Sequence, residues 1–129
     1  MRMWLVPPKV LCRRHLLGEH YEMHMFLGSY KKNISLKGFI NNGMLDPSCM
    51  YERHNILMDE MYEREYEHDT PIDEDLCSAL ANDYSDYTSC VDMVKNLEVL
   101  QERCRSCTER IKRFYGGIVQ RIEQEPSKL

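Results

Sequence analysis

The apolar residues of the C-terminal third recur every three or four positions, and this pattern constrains the fold more than any other feature of the sequence. The series comprises Cys90, Val94, Leu97, Leu100, Cys104, Cys107, Ile111, Phe114 and Ile118. Such spacing puts the apolar side chains on one face of an α-helix. The pattern therefore predicts one long amphipathic helix, with Gly116-Gly117 as a weak point near its end.

Shorter periodic stretches precede this helix. They predict helices over about 8–27, 47–66 and 74–83, separated by a loop-rich stretch at 29–46 and a charged turn at 67–75. Pro8 suits the first turn of the first helix, and Asp73 or Asp75 could cap the third. The second helix has a predicted inner stripe of Met50, His54, Leu57, Met58, Met61 and Tyr62, and a predicted outer face of Glu52, Asp59, Glu60 and Glu63.

No stretch shows a convincing strand pattern, so the predicted fold is all-α. A chain of 129 residues with 43% hydrophobic residues can bury one core. We therefore expect residues 1–129 to form one compact domain of three to four helices with a short extended N-terminal segment.

The apolar stretches are too short for a membrane protein. None approaches the roughly 20 residues that a membrane span needs. The N-terminal apolar stretch is interrupted by Pro7-Pro8, which argues against a signal peptide. We expect an intracellular protein, cytoplasmic or in the nucleoid or nucleus, without membrane association.

Six cysteines would suit a disulfide framework only in a secreted protein. Cys104-x-x-Cys107 is a lone pair, with no second pair and no histidine near it in the sequence. A structural zinc ion needs four ligands. The sequence therefore favours buried thiols over a zinc site, and we predict no metal.

The net charge of −4 is unevenly distributed along the chain. Residues 1–45 carry a local charge of +5, residues 46–98 one of −12, and residues 99–129 one of +3. A fold that brings the two ends together would present one basic face to a nucleic acid. An acidic linker between two solvated helices is an equally good interpretation of the charge alone.

Three polar residues of the first predicted helix share one face. His15, Glu19 and Glu22 are spaced at i, i+4 and i+7. This stripe is either a functional site or a solvated face beside Arg13 and Arg14, and the spacing alone leaves both open. On another face, His20 and His24 could hold a metal, but two ligands do not make a site.

Residues 13–22, preceded by Met1-Arg2, resemble the N-terminal signature of the phage-type pyrimidine-dimer DNA glycosylases, also called the endonuclease V family. That signature is an N-terminal residue, an arginine, a short apolar stretch and a His-Leu-x-x-Glu-x-x-Glu helix. The separation of the first residue from Glu22 also matches. The specific likeness covers about the first 26 residues, and weaker similarities occur at Arg53-His54 and at 113–116.

The resemblance implies an all-α glycosylase that acts on damaged double-stranded DNA without a cofactor, a metal or an obligatory protein partner. Its implied catalytic residues are the α-amine of Met1, the carboxylate of Glu22 and His15 in a supporting role. The predicted DNA contacts, which include basic residues that would touch phosphates, are Arg2, Arg13, Arg14, Lys31, Lys32, His54, Arg113 and Tyr115.

The implied reaction explains the residue types. An α-amine has a reference pKa of about 7.7–8.0, so part of it is unprotonated at neutral pH, whereas a lysine near about 10.4 is not. Attack on the sugar displaces the base and leaves an imine, from which β-elimination nicks the strand. Because Arg2 is bulky, we expect Met1 to be retained and its own amine to serve.

Two other functions fit the sequence. A non-catalytic helical DNA-binding or protein-interaction module could have kept the fold and lost the activity, in agreement with the acidic middle of the chain. A small metal-binding helical protein could use His20, His24 and some of the cysteines. A covalent protein–DNA adduct would distinguish the enzyme from both.

Overall fold

The computed structural model describes residues 1–67, 70–88 and 90–124, with side chains as far as Gly116. Within these residues there are six α-helices, two short 3-10 helices and no strand. The 3-10 helices are Pro8–Val10 and Pro47–Cys49; the α-helices are α1 (Arg13–Lys31), α2 (Lys37–Asn41), α3 (Met50–Glu63), α4 (Glu74–Asp83), α5 (Met93–Arg103) and α6 (Arg105–Gln124). The all-α prediction is confirmed, with more helices than the three to four expected.

The first predicted helix is divided near its start. Pro8–Val10 forms a 3-10 turn, and Leu11 and Cys12 then adopt extended backbone before α1 begins. The Cys12 backbone N–H donates to the sulfur of Cys107 at 3.3 Å, which holds the chain away from a continuous helix. The helix consequently starts later than predicted and extends to Lys31.

The long C-terminal helix is also two helices, because Cys104 is extended (φ −136°, ψ 111°). Its sulfur accepts a hydrogen bond from the Cys107 backbone N–H at 3.4 Å, and so caps the first turn of α6. The apolar spacing continues across the break and therefore conceals it. Helix α6 then runs through Gly116-Gly117; the side chain of Ile118, predicted for the same stripe, lies outside the described residues.

Two other boundaries show how local signals act. Asp73 caps α4 by accepting from the Leu76 backbone N–H at 3.0 Å, and α4 has the bounds that the sequence predicts. Helix α2 lies within the stretch predicted as loop. The predicted turn at 67–75 includes residues 68 and 69, which lie outside the described residues.

The inner face of α3 differs from the prediction at two residues. Glu60, predicted outside, is only 8% exposed, whereas Tyr62, predicted inside, is 52% exposed. Glu60 tolerates burial because Arg64 contacts its carboxylate at 2.8 Å and Lys9 at 3.3 Å. An acidic residue can be buried where cations compensate its lost hydration.

The described residues form two hydrophobic clusters, and the N-terminal segment lies between them. Met3 belongs to the cluster built around α1, α2 and α4, and Leu5 packs against it. Trp4 and Val6 belong to the cluster built around α1, α3, α5 and α6. Alternate residues thus face opposite clusters, although the backbone of Leu5 is left-handed (φ 52°) and not extended. The predicted extended N-terminal segment is therefore part of the core.

The described helices include none that is both long and apolar enough to span a membrane.

Candidate active site

The start of the chain is fixed by buried contacts. The Met3 backbone N–H donates to the Met44 carbonyl at 2.7 Å, and the Asn96 amide donates to the Trp4 carbonyl at 2.8 Å. Met3 is fully buried and Trp4 nearly so. These contacts leave little freedom for the residues directly before them.

Two carboxylates of α1, those of Glu19 and Glu22, lie against the backbone of this segment. The Arg2 N–H donates to Glu22 Oε2 at 2.9 Å, and the nearby Trp4 backbone acts to lower the pKa of Glu19. Covalent geometry keeps the α-amine nitrogen of Met1 within about 3.7 Å of the Arg2 nitrogen. That amine therefore lies no more than about 7 Å from the Glu22 carboxylate.

Glu19 is engaged in a buried ion pair. Arg53 donates through Nε to one of its oxygens at 2.6 Å and through Nη2 to the other at 2.9 Å. Burial raises the pKa of Glu19 and the Arg53 guanidinium opposes that effect; the two-point geometry is that of an ionised carboxylate. Arg53 also donates to the Val6 carbonyl at 2.8 Å. Of the two glutamates in the stripe, Glu22 is thus the one that faces the chain start, and no cation among the described residues forms an ion pair with it.

A cavity of about 410 Å³ opens in front of these groups. It is lined by residues from the N-terminal segment, α1, the loop after α2 and the end of α5, namely Met1, Arg2, Trp4, Arg14, His15, Gly18, Glu19, Glu22, Met44 and Arg103. Arg2, Arg14 and Arg103 make its wall cationic. The two basic ends of the chain meet here. Arg103 was missed from the sequence, because nothing local marks a residue that reaches the cavity from 81 positions after Glu22.

The electrostatics of the wall suit an anionic ligand. Burial and the nearby Arg103 guanidinium lower the pKa of Arg2, while Glu22 raises it; a guanidinium remains protonated at neutral pH all the same. Burial and Arg14 lower the pKa of His15, and Glu22 partly offsets them. The net downward shift in pKa favours the neutral imidazole of His15.

Besides lining the cavity, His15 lies close to three cysteines. Its Nδ1 lies 3.2 Å from Cys12 Sγ and 3.5 Å from Cys107 Sγ, and Cys12 Sγ lies 3.8 Å from Cys104 Sγ. No histidine lies near Cys104-x-x-Cys107 in the sequence, but the folded chain supplies His15. The fold brings residues that are 92 positions apart in the sequence into contact.

The predicted DNA contacts fall in different places. Arg13 and Arg14 are exposed on the first turn of α1, and Arg13 lies over the Tyr66 ring at 4.6 Å. Lys31 and Lys32 are exposed at the other end of the helix, about 25 Å from Arg14 at 1.5 Å of rise per residue. These lysines cannot line the cavity.

His54 does not face solvent. It is 0% exposed, and its Nε2 lies 3.2 Å from His24 Nε2. The ring of His20 lies 4.3 Å from it, centroid to centroid, at an interplanar angle of 41°. The predicted direct contact of His54 with DNA is incompatible with this burial. His20 and His24, which were considered as metal ligands together with cysteines, lie beside His54 instead.

Arg113 and Tyr115 lie on α6. Arg113 is exposed beside a shallow groove that it shares with Lys9, Arg110 and Phe114. Tyr115 is half-buried, and its ring meets that of Phe114 edge-on at 5.0 Å. Arg113 is thus accessible to a phosphate, whereas much of Tyr115 is occupied by packing.

Comparison with known proteins gives one family. The family model described as pyrimidine dimer DNA glycosylase matches residues 1–74. The match extends from the N-terminus to the first residue of α4, and so includes every cavity residue except Arg103. No curated protein and no solved structure matches the chain.

Proposed function

The chain belongs to the pyrimidine dimer DNA glycosylase family, and we propose that it removes a damaged base from duplex DNA and nicks the strand, with the α-amine of Met1 as nucleophile. The observation that carries this proposal is the hydrogen bond from the Arg2 N–H to Glu22 at 2.9 Å. It ties the chain start to a carboxylate at the edge of a cationic cavity. A nucleophile and an acid–base group in one concave site are what such a reaction requires.

The first step is attack by the unprotonated amine on the anomeric carbon of the damaged nucleotide. The bond to the base breaks, and the base leaves with the bonding electron pair. Loss of the amine protons and opening of the sugar ring produce an imine. An α-amine is a weaker base than a lysine, which makes the neutral nucleophile available at neutral pH.

Glu22 has two proposed tasks. Its negative charge stabilises the positive charge that develops on the sugar when the base departs. It then accepts the proton next to the imine carbon, and β-elimination expels the 3′ phosphate and nicks the strand. The hydrogen bond to the Arg2 backbone keeps the carboxylate within about 7 Å of the amine.

The cationic wall holds the DNA. Arg2, Arg14 and Arg103 surround a cavity whose size falls within the ~300–1,000 Å³ usual for small-ligand pockets. Extruding a nucleotide from the duplex costs a few kcal/mol, and phosphate contacts offset that cost. Arg13 and Arg113 are exposed and would extend the contact to flanking phosphates. Lys31 and Lys32 would reach only DNA that runs along the whole of α1.

Incubation with borohydride should trap a covalent complex. Reduction converts the imine to a stable amine, so abasic duplex DNA and ultraviolet-irradiated duplex DNA should both yield a protein–DNA band on a denaturing gel. A protein with an acetylated N-terminus is the matched control and should yield none. Lesion binding without any adduct on either substrate would show a non-catalytic binding module instead.

Arg103→Ala should weaken DNA binding at the cavity. We expect a lower affinity and a slope of log K against log salt that is smaller by about 0.9, which corresponds to one lost phosphate contact. Lys95→Ala is the control, because Lys95 is exposed on the same helix and does not line the cavity. An unchanged salt slope in Arg103→Ala would remove this residue from the DNA-binding surface.

A further inference from the structure

We propose that Cys12, His15, Cys104 and Cys107 form a structural zinc site, in which His15 is a metal ligand and not the supporting catalytic residue that the family resemblance implies. The three sulfurs and one ring nitrogen lie within 4.8 Å of one another. Three thiolates and one imidazole are a common ligand set of structural zinc. The proposal does not depend on the proposed function, since a zinc ion here would hold the fold whether or not the protein cuts DNA.

The distances suit a tetrahedral ion. With Zn–S of about 2.3 Å and Zn–N of about 2.0–2.1 Å, the edges of the tetrahedron are about 3.5–3.8 Å. The Cys12 and Cys104 sulfurs are 3.8 Å apart, and His15 Nδ1 is 3.5 Å from Cys107 Sγ and 3.2 Å from Cys12 Sγ. Small shifts of the side chains would complete the coordination.

The backbone supports thiolates at this position. The ligands form two pairs, Cys12 with His15 and Cys104 with Cys107, and the members of each pair are three residues apart. Each pair begins directly before a helix, Cys12 before α1 and Cys104 before α6. The Cys12 N–H donates to the sulfur of Cys107 at 3.3 Å, and the Cys107 N–H donates to the sulfur of Cys104 at 3.4 Å. Such second-sphere donors stabilise metal-bound thiolates and orient them.

The surrounding charge is also complementary. Zinc binding releases three thiol protons, so the site with three thiolates and Zn²⁺ carries a net charge of −1. Cys12 and Cys104 line a surface pocket together with four arginines: Arg13, Arg14, Arg103 and Arg105. These guanidinium groups compensate the anionic site.

Other chemistries fit the four residues less well. In a four-iron cluster each ligand binds a different iron atom, which would hold the ligands farther apart than these are. A disulfide between Cys12 and Cys104 would require the sulfurs to move from 3.8 Å to about 2.05 Å and would leave the other two residues without a role. A single ion uses all four.

A zinc ion here would join the start of α1 to the junction of α5 and α6. The ligands come from positions 12–15 and 104–107, so the ion would close a loop of most of the chain. Arg14 and Arg103, which line the cavity, are each next to a ligand in the sequence. The metal would therefore fix the position of two cationic groups of the cavity wall.

Metal analysis of the purified full-length protein tests the site. We expect wild type and Cys90→Ser, which changes an exposed cysteine outside the cluster, to contain one more equivalent of zinc than Cys107→Ser. The difference is decisive, because zinc held elsewhere, for example by the three histidines, would appear in all three proteins. Equal zinc contents would overturn the proposal, and so would iron in place of zinc or a Cys12–Cys104 disulfide in the purified protein.

Cobalt gives a measurement that does not depend on a destabilised variant. Co²⁺ added to the reduced, metal-free protein should produce intense visible bands of tetrahedral cobalt and thiolate-to-cobalt charge transfer. His15→Cys should retain the metal, with shifted visible bands and stronger charge transfer, since it exchanges a nitrogen ligand for a fourth sulfur. The weak spectrum of six-coordinate cobalt in wild type, or identical spectra for wild type and His15→Cys, would contradict the ligand set.

Discussion

Glu22→Gln should lower the rate of strand nicking at abasic sites by about 10²–10⁴-fold, the usual contribution of a positioned acid–base group. The amide keeps the oxygen that accepts from the Arg2 N–H but has neither the charge to stabilise the sugar cation nor the basicity to remove a proton. Single-turnover cleavage of an abasic duplex measures the effect on chemistry apart from product release.

The matched control for this prediction is Glu52→Gln, which makes the same change at an exposed position on α3. It should cleave like wild type, and both variants should unfold at wild-type urea concentrations. A Glu22→Gln protein that retains activity within about threefold of wild type would remove Glu22 from the proposed mechanism, because so small a loss is well under the range for a group of this kind.

Arg53→Ala should destabilise the fold by about 3–5 kcal/mol, the range observed when one partner of a buried ion pair is removed. The substitution leaves Glu19 buried without the two hydrogen bonds of 2.6 and 2.9 Å, and the Val6 carbonyl without its donor. Urea unfolding followed by circular dichroism measures the loss. The N-terminal segment should loosen as well, since Arg53 links α1 and α3 to it.

A double replacement separates the ion pair from the space that it fills. Glu19→Leu with Arg53→Met removes both charges and keeps apolar volume, and it should cost less than Arg53→Ala alone. A loss below about 1 kcal/mol in Arg53→Ala would mean that water or another cation compensates Glu19, contrary to the buried two-point contact described here.

The parts of the fold that could be predicted from the sequence are those decided by neighbouring residues. Helix α4 begins after Asp73, whose carboxylate accepts a hydrogen bond from the backbone N–H of Leu76, three residues later. This cap is a local signal that can be recognised in the sequence. The break at Cys104 could not be predicted, because the apolar spacing runs on across it. Its cause is a contact with Cys107 and Cys12 that exists only in the folded chain.

The burial of charged residues also depends on contacts that local sequence does not reveal. The outer position of Glu60 follows from helical spacing alone, yet Arg64 and Lys9 compensate its charge and it lies inside. The partner of Lys9 is 51 positions away, and periodicity contains no information on such a pair. Glu19 was recognised as part of a polar stripe, but its engagement with Arg53 depends on how α1 packs against α3.

In the candidate site, too, some residues could be predicted from the sequence and others could not. Met1, Arg2 and Glu22 were expected together because a sequence motif links them, and the structure brings these residues to one cavity. Arg103 reaches that cavity from α5, and the cysteine cluster joins α1 to α6. Neither could be predicted, since both depend on which helix faces which. His54 shows the opposite case. It was expected from the sequence to contact DNA, but the packing of α3 buries it.

The most direct test of the central claim is to find the atom that the DNA is attached to. After borohydride reduction, nuclease and protease digestion followed by tandem mass spectrometry should place the sugar remnant on the α-amine of Met1, in the N-terminal peptide alone. A remnant on a lysine side chain, or an adduct that forms equally well with the N-terminus blocked, would contradict the account.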